Sequence, residues 1–326
     1  MSEMPDPIRT VVHGKPLGNL GNQMLQYMLL MALSKRSKGV VLSGIELPTW
    51  QISVPKLQPL TSRRVLLQGQ YVDADLLAYL SAKGALPELE FAAYGFQMKN
   101  YLQRDDYRAI FPTRGGPAVE RLSESLVINV RGAEILGNEH PDYGPMPVDF
   151  FRFLCKQTGL QPIFMGQLGN DWYSATLRRE FPTATFITSF GVEGDFAVMR
   201  AARHIVMSVS TFSWLACWLS EAQTIHLPAL GFLNPMQRPD VSLLPLNDPR
   251  YRIYSFPVRK WFGSPTDIDK VHSPYLGHLM GAAECKQMVS DAATNISARV
   301  RRYRRRLRWR AFLSSRLGIG GPAEFV

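Results

Sequence analysis

The chain has 326 residues, of which 46% are hydrophobic and 20% are charged. This composition excludes a disordered or fibrous protein, and the length favours two globular domains. The net charge of +10 is concentrated in residues 299–326, where nine arginines stand against one acidic residue, so the first 298 residues carry only +2. The basic character therefore belongs to one segment and not to the globular body.

The N-terminal region contains no apolar signal segment, and its longest near-apolar stretch, residues 24–33, falls short of the roughly 20 residues that span a membrane. We interpret that stretch as a buried helix. The cysteines, Cys155, Cys217 and Cys285, lack the spacing of metal ligands. A cytoplasmic protein with reduced cysteines is expected.

The first elements form a strand–loop–helix–strand unit. Residues 8–13 are rich in β-branched side chains and predict a strand, whereas residues 22–38, rich in Met and Leu, predict a helix. Residues 40–42 predict the next strand. Residues 46–120 contain six prolines and show no clear pattern.

From residue 126 onward, strand and helix patterns alternate with short connections. Strands are predicted at 126–130, 162–165, 184–188, 204–209 and 224–227, and helices at 147–157, 171–180, 193–203 and 213–222. Such alternation is typical of a parallel sheet covered by helices on both faces. Ligands of such sheets bind beyond the carboxyl ends of the strands. We therefore expect the site in the loops after residues 130, 165, 188 and 209.

The loop before the first helix carries two glycines among polar residues: Gly18, Asn19, Leu20, Gly21, Asn22 and Gln23. Glycines at such a turn let a ligand approach the backbone, and the free N–H groups at the helix start favour an anion. A tight turn without a ligand explains the same spacing. The pattern is not GxGxxG, so it does not predict a dinucleotide site.

Three segments resemble the bacterial α-1,2-fucosyltransferases of glycosyltransferase family 11, in family order. Residues 18–27 resemble the family opening GGLGNQMFQYA, and residues 95–102 are similar to its G-Y/F-x-Q-S-x-K-Y-F segment. Residues 195–214 resemble its D-L-x-L-M … K-H … N-S-T-F-S-W-W block. The matches fall within residues 13–235.

The resemblance implies nucleotide-binding roles for the last block. Ser210, Thr211 and Ser213 lie between a buried strand and an apolar helix, where hydroxyls and backbone N–H groups suit a diphosphate. Simple N-capping is the alternative. Asp195 opens a predicted helix, and its carboxylate could accept both N–H groups of a guanine edge or only offset the helix dipole.

The loop after residue 130 departs from the family pattern H-x-R-R-G-D. Arg131 and Glu134 match the first arginine and the acid, but Gly132 stands at the second arginine and Asn129 at the histidine. In the family these arginines are associated with the β-phosphate of the sugar nucleotide, which a guanidinium matches through two hydrogen bonds. An ion pair between Arg131 and Glu134 is the structural alternative.

Glu134, His140 and Asp142 are the acid–base candidates near that loop. Glycosyl transfer with inversion needs a group that receives the proton of the acceptor hydroxyl, unless the transition state is very dissociative. The sequence does not rank the three, and residues 140–145 are equally typical of a turn.

Residues 299–316 interleave arginines with apolar residues at roughly helical spacing: Val300, Tyr303, Leu307, Trp309, Phe312 and Leu313. A basic amphipathic helix is typical of attachment to an anionic membrane surface. A solvated tail and RNA binding are the alternatives.

The sequence therefore predicts an α/β protein with two Rossmann-like, GT-B-like domains and a basic C-terminal helix. Residues 1–120 are expected to bind the acceptor and residues 121–298 the sugar nucleotide, with residues 299–326 as a separate tail. The catalytic candidates are Arg131, Glu134 and His140.

The resemblance implies inverting transfer of L-fucose from GDP-fucose to a glycan hydroxyl in an α-1,2 linkage, during surface polysaccharide or lipopolysaccharide synthesis. No cofactor is expected, and no metal, because Arg131 and helix N-termini can take the diphosphate charge. The expected partners are the GDP-sugar, an oligosaccharide or lipid-linked acceptor and the inner face of a membrane, without nucleic acid. The alternatives are another sugar nucleotide, or a non-catalytic protein that binds glycans or RNA.

Overall fold

The computed structural model describes residues 10–59, 64–113, 115–137 and 140–325, in which the chain forms two compact units. Unit 1 comprises Met1–Phe111, Asp240–Leu243 and Ala293–Val326, and unit 2 comprises Pro112–Pro239 and Leu244–Ala292. Residues 8 and 9 of the first predicted strand lie outside the described residues.

The strands are β1 Thr10–Gly14, β2 Val40–Ser43, β3 Ile45–Leu47, β4 Ile52–Val54, β5 Val65–Gly69, β6 Glu88–Ala93, β7 Ser125–Val130, β8 Gln161–Gly166, β9 Thr185–Ile187, β10 His204–Val206, β11 Thr224–Ala229, β12 Tyr251–Ser255 and β13 Gly321–Glu324. The α-helices are α1 Leu20–Arg36, α2 Ala74–Ala82, α3 Arg104–Ile110, α4 Val148–Thr158, α5 Trp172–Glu180, α6 Gly191–Ala201, α7 Thr211–Leu219, α8 Pro265–His272 and α9 Ala282–Phe312. A π-helical turn, Leu313–Leu317, follows α9.

Unit 1 contains a five-stranded sheet in the order β13-β5-β6-β1-β2, with every pairing parallel. Helix α1 buries nearly all of residues 24–33, which confirms the prediction of a buried helix there. Apolar residues all round that part of α1 are what a helix covering a parallel sheet requires.

Unit 2 contains a six-stranded parallel sheet in the order β12-β11-β10-β7-β8-β9. Numbered from β7, this is the 3-2-1-4-5-6 order of a Rossmann fold. Every residue of β7 is buried, as expected for a central strand with helices on both faces. The parallel sheets of both units and the C-terminal helix confirm the predicted fold class.

The structure divides the chain differently from the three expected parts. The first segment of unit 1 ends at Phe111, about ten residues before the predicted boundary, and residues 299–326 belong to the same unit instead of forming a separate tail. The physical reason is that α9 buries Tyr303 and Leu307 at 2% and 0% exposure, while β13 pairs with β5. Arg304 also donates to the buried carboxylate of Asp73 at 2.6 Å.

Candidate functional site

The strand order of unit 2 places a topological switch point between β7 and β10, where parallel sheets of this kind bind ligands. Arg131 directly follows β7, and residues 208–210 follow β10. The two strand ends are joined by a hydrogen bond from Ser208 Oγ to Asn129 Oδ1, at 2.6 Å. A small hollow lies at this edge, lined among others by Arg131, Pro145, Tyr173 and Ser208.

Arg131 is the best-placed functional candidate at this edge. Its Nη2 donates to Glu134 Oε1 at 2.7 Å, and its guanidinium carbon lies 5.5 Å from the ring centroid of Tyr143. The ion pair proposed as the structural alternative is therefore present. The buried Nε of Arg131 has no hydrogen-bond partner among the described residues. A guanidinium at a switch point can pair with a phosphate oxygen through its N–H groups.

The structure gives a steric reason for a glycine at position 132, which the sequence did not reveal. A Cβ atom at this position would lie 2.8 Å from the backbone oxygen of Gln167, in the loop after β8. The backbone N–H of Gly132 also donates to Gln167 Oε1, at 3.2 Å. The close approach of these two loops leaves no room for a second arginine at position 132.

A cationic cluster around Asp142 lies on the loop of residues 140–145. The buried carboxylate of Asp142 accepts hydrogen bonds from Lys260 Nζ at 2.6 Å, Gln237 Nε2 at 2.9 Å and Arg238 Nη1 at 3.3 Å. Burial alone would raise the pKa of Asp142, but these hydrogen bonds and the two positive charges lower it. The carboxylate of Asp142 therefore holds Arg238 and Lys260 together on this loop.

Arg259 adds a third cation to this loop. Its Nη2 donates to the backbone oxygen of Pro145 at 3.3 Å, and no carboxylate lies within ion-pair distance of it in the described part of the chain. Burial lowers the pKa of Arg259, although a guanidinium remains charged at neutral pH.

The three cations of this loop, Arg238, Arg259 and Lys260, were missed from the sequence because they lie far from Asp142 along the chain. The loop itself is fixed by Gly231, whose φ is +59° and where a Cβ atom would lie 2.3 Å from the backbone oxygen of Asp142. The glycine thus lets the loop lie directly on the chain that follows β11.

The geometry distinguishes the acid–base candidates. His140 Nδ1 accepts the backbone N–H of Asp142 at 3.1 Å, so the neutral ring carries its proton on Nε2 and has no free lone pair there. Burial lowers the pKa of His140, more than Asp142 raises it. A neutral Nε2–H donor is unsuited to receive a proton, and Asp142 is enclosed by its cations.

Glu134 is the remaining base candidate. Burial would raise its pKa, but hydrogen bonds and the charge of Arg131 outweigh burial and lower it. Its side chain is 28% exposed, and Oε2 accepts from Gln167 Nε2 at 3.3 Å. Glu134 is therefore deprotonated at neutral pH and reachable from solvent.

The hydroxyl residues after β10 serve the start of α7. Ser210 is the N-cap residue, and its Oγ accepts from the N–H of Ser213 at 3.5 Å. Ser213 is fully buried, and its Oγ accepts the backbone N–H of Ser208 at 3.0 Å. Ser210 and Thr211 are each 7% exposed. The capping alternative is confirmed, and diphosphate binding by these three residues stays a prediction.

Asp195 does not open a helix, as the sequence suggested, because α6 begins four residues earlier at Gly191. Its carboxylate accepts from Ser189 Oγ at 2.7 Å and from the N–H of Phe190 at 2.9 Å. Both oxygens thus hold the chain that enters α6. Guanine recognition by Asp195 stays a prediction.

The glycine-rich loop lies in unit 1, and its geometry is that of a tight turn. Gly18 has φ +64°, and a Cβ atom there would lie 2.1 Å from Asn22 Nδ2. Gln23 Nε2 donates to the backbone oxygen of Gly18 at 2.9 Å. Gly18 and Asn19 are exposed, Asn22 and Gln23 are half-buried, and Gly21 is buried. Ligand binding by these residues stays a prediction.

The buried side chain of Gln26 holds this loop through hydrogen bonds. Its Oε1 accepts the N–H of Leu17 at 3.0 Å, and its Nε2 donates to the backbone oxygen of Ala93 at 2.8 Å. One amide thereby joins the loop after β1 to the end of β6. Gln23 and Gln26 line a hollow at this edge, together with Lys15, Tyr27 and Glu46.

Two Asp-x-Asp sequences, residues 73–75 and 267–269, bear on the expectation of a metal-independent site. Asp73 caps α2 and pairs with Arg304, and Asp267 forms a capping box with Ser264. Within the described residues, no group of three or more histidine, cysteine or acidic side chains could hold a metal ion. Metal independence stays a prediction.

Fold and site together define a two-unit α/β protein with a Rossmann-ordered sheet and a cation-rich switch point. No protein-family model matches the chain. Among curated proteins it is similar to galactoside α-(1,2)-fucosyltransferase 1 of Rattus norvegicus, with 26% identity over 71% of this chain and 70% of the relative. The enzyme of the same name from Oryctolagus cuniculus is 22% identical over 79% and 74%.

Solved structures also match. A variant of Arabidopsis thaliana FUT1 in complex with GDP has 12% identity and a TM-score of 0.42, over 69% of this chain and 71% of that one. POFUT1 in complex with GDP-fucose has 11% identity and a TM-score of 0.39, over 68% and 97%.

The curated relatives confirm the predicted class, a glycosyltransferase that resembles α-1,2-fucosyltransferases, although the named relatives are mammalian and not bacterial. In the described part of the chain, no helix combines the length and the apolar character needed to cross a bilayer.

Proposed function

We propose that the chain is an inverting glycosyltransferase that moves L-fucose from GDP-fucose to a glycan hydroxyl in an α-1,2 linkage. The observation that carries the proposal is the placement of Arg131 at the switch point of a Rossmann-ordered sheet. Similarity to enzymes named galactoside α-(1,2)-fucosyltransferases supports the choice of donor and linkage.

Charge governs the departure of the nucleotide. As the bond from the sugar C1 to the β-phosphate oxygen breaks, negative charge grows on GDP. We assign the stabilisation of that charge to Arg131, which directly follows β7, and a supporting role to Arg259 and Lys260 beside residues 140–145.

The acceptor hydroxyl forms the new glycosidic bond. Its hydroxyl oxygen attacks C1 from the face opposite the leaving GDP, which inverts the anomeric centre, and its proton passes to the deprotonated Glu134. We assign donor binding to unit 2 and acceptor binding to unit 1. The biological setting we propose is surface polysaccharide or lipopolysaccharide synthesis at the inner face of a membrane.

Gly132 favours one alternative, a transferase with another sugar nucleotide. The steric limit at position 132 removes the second arginine of the family loop, and with it part of the charge expected for a fucosyl donor. A non-catalytic glycan- or RNA-binding protein is the remaining alternative.

A turnover screen tests these alternatives. Purified full-length chain is incubated with a galactoside acceptor and, in separate reactions, with GDP-fucose, other GDP-sugars, UDP-sugars and CDP-sugars. We expect mass spectrometry to show the addition of one deoxyhexose with GDP-fucose only, and an α-1,2-specific fucosidase to remove it. The matched control is Glu134→Gln, which should bind GDP in calorimetry but transfer slowly.

Turnover with a different sugar nucleotide would replace fucose as the donor sugar. Binding of the acceptor without any nucleotide binding or turnover would favour the non-catalytic alternative.

A further inference from the structure

Helix α9 has an uncovered face opposite the face that packs onto unit 1. Tyr303, Leu307 and Ala311 are buried in the protein, at 2%, 0% and 0% exposure. Trp309 and Phe312 are 58% and 47% exposed, and their rings stack with centroids 5.6 Å apart. The apolar stripe expected from the sequence is therefore two stripes, and only the second one reaches solvent.

The uncovered face has a regular composition. Arg302, Arg305, Trp309 and Phe312 follow one another at intervals of three and four, which places them on one side of α9 with about 3.6 residues per turn, and Arg316 follows in the π-helical turn. We call these five residues the Arg–Trp face. The apolar character continues beyond it in two exposed residues, Leu317 at 60% and Ile319 at 51%.

Six of the nine arginines between residues 299 and 316 fall into two groups with different partners. Arg304, Arg306 and Arg310 point into unit 1, where they donate to Asp73 and to the backbone oxygens of Glu324 and Pro322. The three arginines of the Arg–Trp face have no ion-pair partner among the described residues. Their charge is therefore free to act on a partner outside the chain.

We propose that the Arg–Trp face binds the surface of an anionic membrane, with α9 lying in the plane of the bilayer. Unpaired arginines complement acidic lipid headgroups at such a surface. A stacked Trp–Phe pair suits the boundary between headgroups and acyl chains. Exposed Leu317 and Ile319 have no counterpart in a nucleic-acid ligand, which favours lipid over RNA.

The test is sedimentation of the full chain with vesicles of phosphatidylcholine, with and without phosphatidylserine. We expect binding to the acidic vesicles only. Trp309→Ser/Phe312→Ser and Arg302→Glu/Arg305→Glu should each weaken it about tenfold or more, and high salt should weaken the wild type. All four positions are exposed, so melting temperatures should stay unchanged.

Two matched controls isolate the face. Lys83→Glu/Lys156→Glu reverses two exposed charges elsewhere, and Leu276→Ser removes a side chain that is 92% exposed. Both should bind vesicles like the wild type.

Equal sedimentation of wild type and face variants would overturn the proposal, as would wild-type binding to RNA but not to acidic vesicles. If the wild type turns over a sugar nucleotide but does not bind vesicles, the proposed transferase activity stands and only the membrane contact is ruled out.

Discussion

In both units an inner strand of a parallel sheet runs into a loop that leads to a helix, yet the two loops differ in chemistry. The loop after β1 carries glycine and amide side chains, and Gln26 joins it to the end of β6 through hydrogen bonds with Leu17 at 3.0 Å and Ala93 at 2.8 Å. The loop after β7 carries Arg131 and Glu134, and the Asp142 cluster lies further along it.

The chemistry of the two loops indicates how one architecture serves two kinds of ligand. An amide-supported loop closes on itself and presents little charge, which suits a neutral molecule rich in hydroxyl groups. A loop that carries Arg131 and meets Arg259 and Lys260 from elsewhere in the chain suits a diphosphate, whose negative charge cations stabilise. This contrast supports the assignment of the acceptor to unit 1 and of the donor to unit 2.

Removing the charge at the edge of unit 2 should have the largest effect. We expect Arg131→Ala to lower kcat for transfer from GDP-fucose by about 10²–10³-fold, as loss of one transition-state donor does. Arg179→Ala, an exposed arginine on α5, should leave kcat unchanged. Steady-state kinetics measure both. A near-normal kcat in Arg131→Ala would contradict the assignment of the donor's charge to the loop after β7.

Low pH should show that the interior of the unit 2 sheet does not tolerate a positive charge, although cations lie at its edge. Burial lowers the pKa of His226 on β11 to about 4, with smaller contributions from His204 and Arg252. The unfolded chain takes up this proton near pH 6.5, so stability is complete above pH 6.5 and falls as the pH drops towards 4.

The loss should reach about 3 kcal/mol at most. Denaturant unfolding between pH 7 and 4 measures it, and His226→Gln should flatten the dependence in that window. His272→Gln, on the exposed end of α8, serves as the control. An unchanged slope in His226→Gln would assign the acid sensitivity to other groups.

A smaller effect should follow from disturbing the neutral loop of unit 1. Gln26→Ala leaves the N–H of Leu17 and the backbone oxygen of Ala93 without their partner, which costs about 1–3 kcal/mol. Thermal unfolding should show a lower melting temperature, whereas Gln103→Ala, an exposed amide in the same unit, should not. GDP binding to the folded variant should persist, and its loss would place the nucleotide in both units.

The alternating half of the fold could be predicted because its strands are short apolar runs separated by helical patterns. The strands and helices from β7 to β11 lie within about two residues of the predicted ranges in most cases. In contrast, β5, α2 and β6 lie between residues 46 and 120, where prolines and polar residues interrupt the pattern. Local periodicity carries little information there.

The site was only partly predictable. Arg131 and Glu134 could be found because they follow a recognisable strand, but Lys260 meets Asp142 only through tertiary packing. Periodicity also failed to separate the two faces of α9, because an apolar residue looks the same in sequence whether it meets protein or solvent.

The pairing of β13 with β5 bears on how the protein is made. Gly321 lies opposite Val65, so the edge of the first sheet is completed by a segment synthesised long after the strand it joins. The segments of unit 2 are synthesised before β13, so they can fold at the ribosome while one edge of β5 is still unpaired. Late closure of this kind slows folding and exposes an unpaired strand.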